Sequence, residues 1–77
     1  MLTYSKILNK YYDPDNNNVV YVTNMIQCAK YLKHGCVDDL VDIIYSGQKR
    51  EDTLVFVFVK SQRVKDLYKK WQNHELD

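Results

Sequence analysis

Four soft metal-ligand candidates stand in the chain: Cys28, His34, Cys36 and His74. A structural zinc site takes four such ligands, usually in closely spaced pairs of the C-x2-C kind. Here Cys28 falls on the apolar stripe of an expected helix, while His34 and Cys36 flank the end of that helix. The cysteines therefore read as packed, reduced thiols and the histidines as surface residues, with no metal and no cofactor. Cys36 as a nucleophile with His34 as its base would need a third group to orient the imidazole, and Asp38 or Asp39 could supply one only by chance of loop geometry. Asp38 and Asp39 are adjacent at a strand entrance, so they point to opposite faces and cannot share a substrate as acid and base. Gly35 and Gly47 lie far apart, without the G-K-[ST] element of a phosphate loop. The chain carries no catalytic set, and the expectation is a protein that is not an enzyme.

One surface retains chemistry. Lys60, Arg63, Lys65, Lys69 and Lys70 against Asp66 leave +4 between residues 60 and 73. Cations on one helix can meet phosphates as point charges, and seven tyrosines with Trp71 supply stacking surfaces. The competing account is a solvated helix face, in which the lysines maintain solubility while Tyr68 and Trp71 are buried. Residues 36–52 carry the opposite excess, −3, so the surface is dipolar and suited to a partner of mixed charge.

These side chains need elements to place them. The run Asp13-Pro14-Asp15-Asn16-Asn17-Asn18 is a turn, because proline sets φ and Asp and Asn tolerate left-handed backbone. It separates residues 7–12 from the β-branched and aromatic strand Val19-Val20-Tyr21-Val22. Residues 3–12 are ambiguous: Tyr4, Ile7, Leu8 and Tyr11 have helical spacing, yet a strand ending at Tyr12 would form a hairpin with residues 19–22. The hairpin is the preferred alternative. Asn24 with Gln27 resembles a capping box, Met25, Cys28, Ala29 and Leu32 share one helical face, and Gly35 supplies a left-handed stop. Lys30 and Lys33 then face water. Residues 40–45 and 53–60 read as two strands joined by a longer loop over residues 46–52.

Within the last of these strands, Leu54, Phe56 and Phe58 lie on one face and Val55, Val57 and Val59 on the other. A strand apolar on both sides must be covered twice. In so short a chain the second cover could be another subunit, which makes Val55, Val57 and Val59 the candidate interface of a homodimer. Ser61 should cap the last helix, with Val64, Leu67, Tyr68 and Trp71 as its buried stripe. The order ββαββα gives an α+β fold: a small antiparallel sheet with two helices, packed mainly on one face.

The whole chain of 77 residues, 45% hydrophobic and 27% charged, has the size and composition of a single domain spanning residues 1–77. A domain of this size buries only about 60% of the surface its unfolded chain exposes, so each buried aromatic counts. A net charge of +1 and a pI near 7.7 do not announce a nucleic-acid binder. No apolar run approaches the ~20 residues of a membrane span, and the N-terminus lacks the apolar block of a secretory signal. A cytoplasmic protein that does not enter the membrane is expected.

Tyr21-Val22-Thr23-Asn24, Gln27 through Tyr31-Leu32 to Gly35, Leu54-Val55-Phe56-Val57-Phe58, and the closing Tyr68 to Trp71 also make a pattern together. It resembles small uncharacterised domains of Firmicutes and their phages and mobile elements, in which a "Y-V-T-N" strand enters a Q-x-x-x-Y helix and a "V-F-V-F" strand precedes a Trp-containing terminal helix. The likeness covers most of residues 19–76. It implies a phage or mobile-element setting, where small proteins often act by binding, including as inhibitors of host defence. The expected function is thus a non-enzymatic interaction module that binds a protein partner. The alternative is a nucleic-acid-binding accessory protein using Lys60, Arg63, Lys65, Lys69 and Lys70.

Overall fold

The computed structural model describes residues 1–15, 18–48 and 51–77. It is an α+β fold: β1 (Thr3–Ser5), β2 (Lys10–Tyr12), β3 (Val19–Val22), α1 (Met25–Lys33), a 3-10 turn (Cys36–Asp39), β4 (Leu40–Gln48), β5 (Glu51–Val59) and α2 (Gln62–Gln72). Strands, helix, strands and helix alternate as expected, with one additional strand at the N-terminus. Two small antiparallel sheets result, β1-β2 and β3-β5-β4.

The N-terminal pairing differs from the expected hairpin. Residues 3–5 pair with 10–12, with Tyr4 opposite Tyr11, and β3 pairs instead with β5, Val19 opposite Val59 and Val22 opposite Phe56. The reversal within residues 3–12 is made locally. Ser5 Oγ accepts from the Leu8 amide at 3.1 Å, Ser5 O accepts from the Asn9 amide at 2.8 Å, and Asn9 takes φ +55°, the left-handed region that asparagine tolerates. The Tyr4 and Tyr11 rings meet across the ladder at 4.9 Å. The Asp13–Asn18 turn lies partly outside the described residues at Asn16 and Asn17.

The strands β4 and β5 pair as far as Gln48 and Glu51, so most of the expected loop over residues 46–52 belongs to the ladder; Lys49 and Arg50 lie outside the described residues. A bulge between Leu40 and Asp42 shifts the register. It sets Val41 and Asp42 on the same face of the sheet, where Val41 packs with Tyr12 and Val57 and Asp42 accepts from the Tyr12 hydroxyl.

Asn24 caps α1, its side chain accepting from the Ile26 and Gln27 amides at 2.9 and 3.1 Å. Gln27 does not complete a capping box. Its Nε2 donates to the Tyr31 hydroxyl at 2.9 Å, which is the better use of a side chain one turn from a buried phenol. The buried side of α1 is Cys28 and Tyr31 with Leu32 packed against the core, while Met25 and Ala29 are exposed. Tyr31 rotates the stripe from the expected one because its ring meets Phe58 edge-on at 5.6 Å. Gly35, at φ +94°, ends the helix as expected.

Ser61 Oγ caps α2 by accepting from the Val64 amide at 3.2 Å, and Val64 and Leu67 are buried. Tyr68, expected in the stripe, is half exposed, and Trp71 is only partly buried against the core. The helix closes with the Glu75 amide on Lys70 O (2.8 Å) and the His74 amide on Trp71 O (3.2 Å), His74 standing at φ +57°. That is the Schellman pattern on a residue other than glycine. It turns the tail back so that Leu76 is buried, Lys30 Nζ donates to Leu76 O at 2.8 Å and lies 5.5 Å from the Trp71 ring centre, and His34 Nε2 meets Asp77 O at 2.8 Å. Lys30 is thus engaged rather than directed to water.

The middle of β5, Phe56 to Phe58, is covered on both faces within the chain. Phe56 and Phe58 join Val22, Cys28, Tyr31, Val64 and Leu67 beneath the helices. Val57, with no exposed surface, lies on the other face with Tyr12, Val19 and Val41. No helix among the described residues is long and apolar enough to cross a membrane.

Candidate functional site

The strand order leaves β3 at one edge of the three-stranded sheet. Antiparallel ladders alternate bonded and non-bonded pairs, and the Lys60 amide donates to Asn18 O at 2.8 Å. Counted from that pair, Val20 and Val22 point their backbone groups toward β5, and Val19 and Tyr21 point theirs outward. The opposite edge, β4, is bulged between Leu40 and Asp42, a feature that blunts an edge. The β3 edge is straight.

Beside this edge lies a cleft of about 390 Å³ between β3 and the two helices. Val20, Val22, Val64 and Tyr31 give it apolar walls, Gln27 and Tyr68 add amide and phenol groups, and Tyr21, whose ring turns to the Val57 face of the sheet, borders it along the strand. Tyr21 and Tyr68 are 57% and 49% exposed, which leaves their rings accessible to a partner. Lys60 and Lys65 bring positive charge to the same cleft. Burial pushes the Tyr31 phenol above its ordinary pKa, and it accepts the Gln27 amide hydrogen bond. A second cleft of about 530 Å³, lined in part by Lys30, Trp71 and His74, shares Gln27 and Tyr68 with the first.

The cationic residues do not gather into one patch. Arg63 Nε donates to buried Asp39 Oδ2 at 2.9 Å, which holds the guanidinium proton more firmly than usual. With ~3.6 residues per turn, Lys65 and Lys69 fall on one flank of α2 and Arg63 and Lys70 on the other, with Asp66 between them. Lys60 joins the Lys65 flank at the cleft. Of the candidate subunit interface, Val59 is exposed and Val55 partly buried, but Val57 is sealed in the core by the N-terminal hairpin. As an interface residue Val57 is thus corrected: the cover that its apolar face demanded comes from Tyr12 of the same chain.

The remaining chemical candidates are dispersed. Cys28 and Cys36 are buried free thiols, and burial pushes both above the ordinary thiol pKa, a direction that keeps them protonated and poor nucleophiles. His34 is exposed and turned to the tail. Among the described residues no three His, Cys, Asp or Glu side chains come together as metal ligands. Asp39 holds Arg63 while Asp38 is exposed, so the two carboxylates diverge.

Sequence reasoning missed the cleft residues Gln27, Tyr21, Tyr31 and Tyr68 as a group. Three of them were read as cap, buried strand and buried stripe, and what unites them is the position of β3 at an edge, which depends on pairing between residues far apart in the chain. No family model matches the chain, and no curated protein or solved structure is significantly similar to it.

Proposed function

We infer that this protein is a non-enzymatic interaction module that binds a protein partner by adding an extended segment of that partner to the edge of β3. The observation that carries this reading is an open, unbulged strand edge beside an apolar cleft. Main-chain hydrogen bonds at such an edge supply affinity, and alternate side chains entering the adjacent cleft supply selectivity. The likeness to small phage and mobile-element domains agrees with a binding role in the host cytoplasm, including inhibition of a host-defence protein. Val55 and Val59 leave a smaller surface for a homodimer, and light scattering at micromolar concentration reads that directly.

Benzoylphenylalanine placed at Tyr21 or Tyr68 should crosslink a partner in a host lysate, whereas the same probe at Lys33, on α1, should not. Equal labelling at all three positions would defeat the reading. The second reading, nucleic-acid binding through Lys60, Arg63, Lys65, Lys69 and Lys70, is supported by Tyr68 lying half exposed beside Lys65 on the same helix. It requires salt-dependent binding of an oligonucleotide that falls when Lys65, Lys69 and Lys70 become Ala.

A further inference from the structure

We propose that the segment taken up at the β3 edge is acidic: an extended peptide whose helix-side positions, every second residue, are carboxylates where they meet Lys60 and Lys65 and apolar where they enter the cleft. The inference rests on the edge-binding reading and specifies the partner's chemistry. A strand laid beside β3 continues the pleat, so every second side chain points to the helix side, as Val20 and Val22 do. There it meets the apolar walls formed by Tyr31 and Val64. Lys60 stands where β5 ends, level with Asn18, and Lys65 one turn into α2, and both line the cleft. Neither forms a salt bridge among the described residues. Arg63, by contrast, is engaged by Asp39.

The same charges argue against a second copy of the chain at this edge. Two β3 strands paired about a two-fold axis would bring Lys60 and Lys65 of both copies toward one seam, where like charges repel. An acidic partner removes that repulsion and gains attraction. A nucleic acid would use the lysines but leave the outward backbone groups of Val19 and Tyr21 unpaired.

The test is a titration of 15N-labelled protein with nine-residue peptides of one length: two Glu followed by Val and Phe at every second position with Thr between them, the same with Gln for Glu, the same with Lys for Glu, and a single-stranded oligothymidine. The acidic peptide should shift the Val19 and Tyr21 amides and bind on the order of tenfold more tightly than its Gln counterpart, as two half-exposed ion pairs allow. The Lys60→Glu/Lys65→Glu variant, whose surface changes should leave folding intact, should prefer the Lys peptide. N-methylation of alternate acidic-peptide amides should abolish binding in one register of methylation and spare it in the other. Equal affinity for Glu and Gln peptides with the same amide shifts would overturn the acidic assignment while leaving edge binding standing. No shift at Val19 or Tyr21 with any peptide would overturn both. Shifts confined to Lys60, Lys65 and Lys69 with oligothymidine tighter than every peptide would replace both by nucleic-acid binding.

Discussion

The two faces of β5 are sealed by different means. Toward the helices, Phe56 and Phe58 enter a continuous cluster that takes side chains from β3, both helices, the 3-10 turn and the tail. Toward the N-terminal hairpin, Val57 is equally inaccessible, but among the described residues its buried apolar partners are Tyr12, Val19 and Val41. Asp42 is also buried on that side, with its Oδ2 accepting from Tyr12 OH at 2.7 Å and its Oδ1 from the Ile43 amide at 2.8 Å. A chain this short has apolar residues enough for one full core, and closes its second face with a three-residue-strand hairpin and a specific polar contact. The helix face depends on apolar area and packing. The hairpin face also depends on one phenol and one carboxylate.

The largest effect that could break this comparison is expected on the helix face. Phe58→Ala removes a ring with no exposed surface and its edge contact with Tyr31, which should cost about 3–5 kcal/mol. Against the ~5–15 kcal/mol of a typical domain, that should bring a small one to the edge of unfolding at 37 °C. Thermal melts followed by circular dichroism read it. A Phe58→Ala protein melting within a few degrees of the parent would mean that the hairpin face holds the fold.

The Tyr12–Asp42 contact should give an intermediate loss with a distinctive pH signature. Tyr12→Phe leaves a buried carboxylate short of one donor, at a cost of about 1–3 kcal/mol near neutrality. Burial, reinforced by the bond to Asp42, pushes the Tyr12 phenol up to about 12. The folded protein therefore keeps that proton between pH 10 and 12, where the unfolded chain has lost it. The stability from the neutral phenol is complete below pH 10 and falls as pH rises toward 12, by about 1.4 kcal/mol per unit. Melting temperatures of the parent and Tyr12→Phe should converge across that window. A constant gap would show that the hydroxyl acts without its proton being coupled to folding.

The smallest change sharpens the contrast. His74 holds a left-handed conformation at the end of α2, and His74→Gly should relieve up to about 1 kcal/mol of strain there. Because residues 73–77 close the helix face, hydrogen exchange in α2 should slow while amides of the N-terminal hairpin keep their local opening rates. Slower exchange at Tyr4 and Tyr11 as well would mean that the two faces open only together.

Where the signal was local, the sequence was legible. Asn24 and Ser61 have short side chains that reach unpaired amides, so they cap the helices wherever those helices pack. Gly35 ends α1 because its φ of +94° is strained for other residues. The alternation of residues 54–59 likewise required covers on both sides of β5. The capping role of Gln27 was not decided by spacing, since the Tyr31 hydroxyl competes for the same side chain and only the packed position of that ring settles the competition.

The candidate site was less legible. Lys60 and Lys65 were visible as charges, but their place beside an open edge was not. By itself, the sequence determined the caps at Asn24, Gly35 and Ser61, the strands at residues 19–22, 40–45 and 54–59, and the need for two covers on β5, because each follows from backbone propensity, capping or a period of two. Only the tertiary structure decided that residues 10–12 are left to pair with 3–5 rather than with 19–22, that Val57 is covered by the same chain and that β3 pairs with β5 and becomes an edge. Those outcomes turn on which distant apolar strips bury one another best, and that competition among non-local pairings cannot be read from the side chains of any one strand.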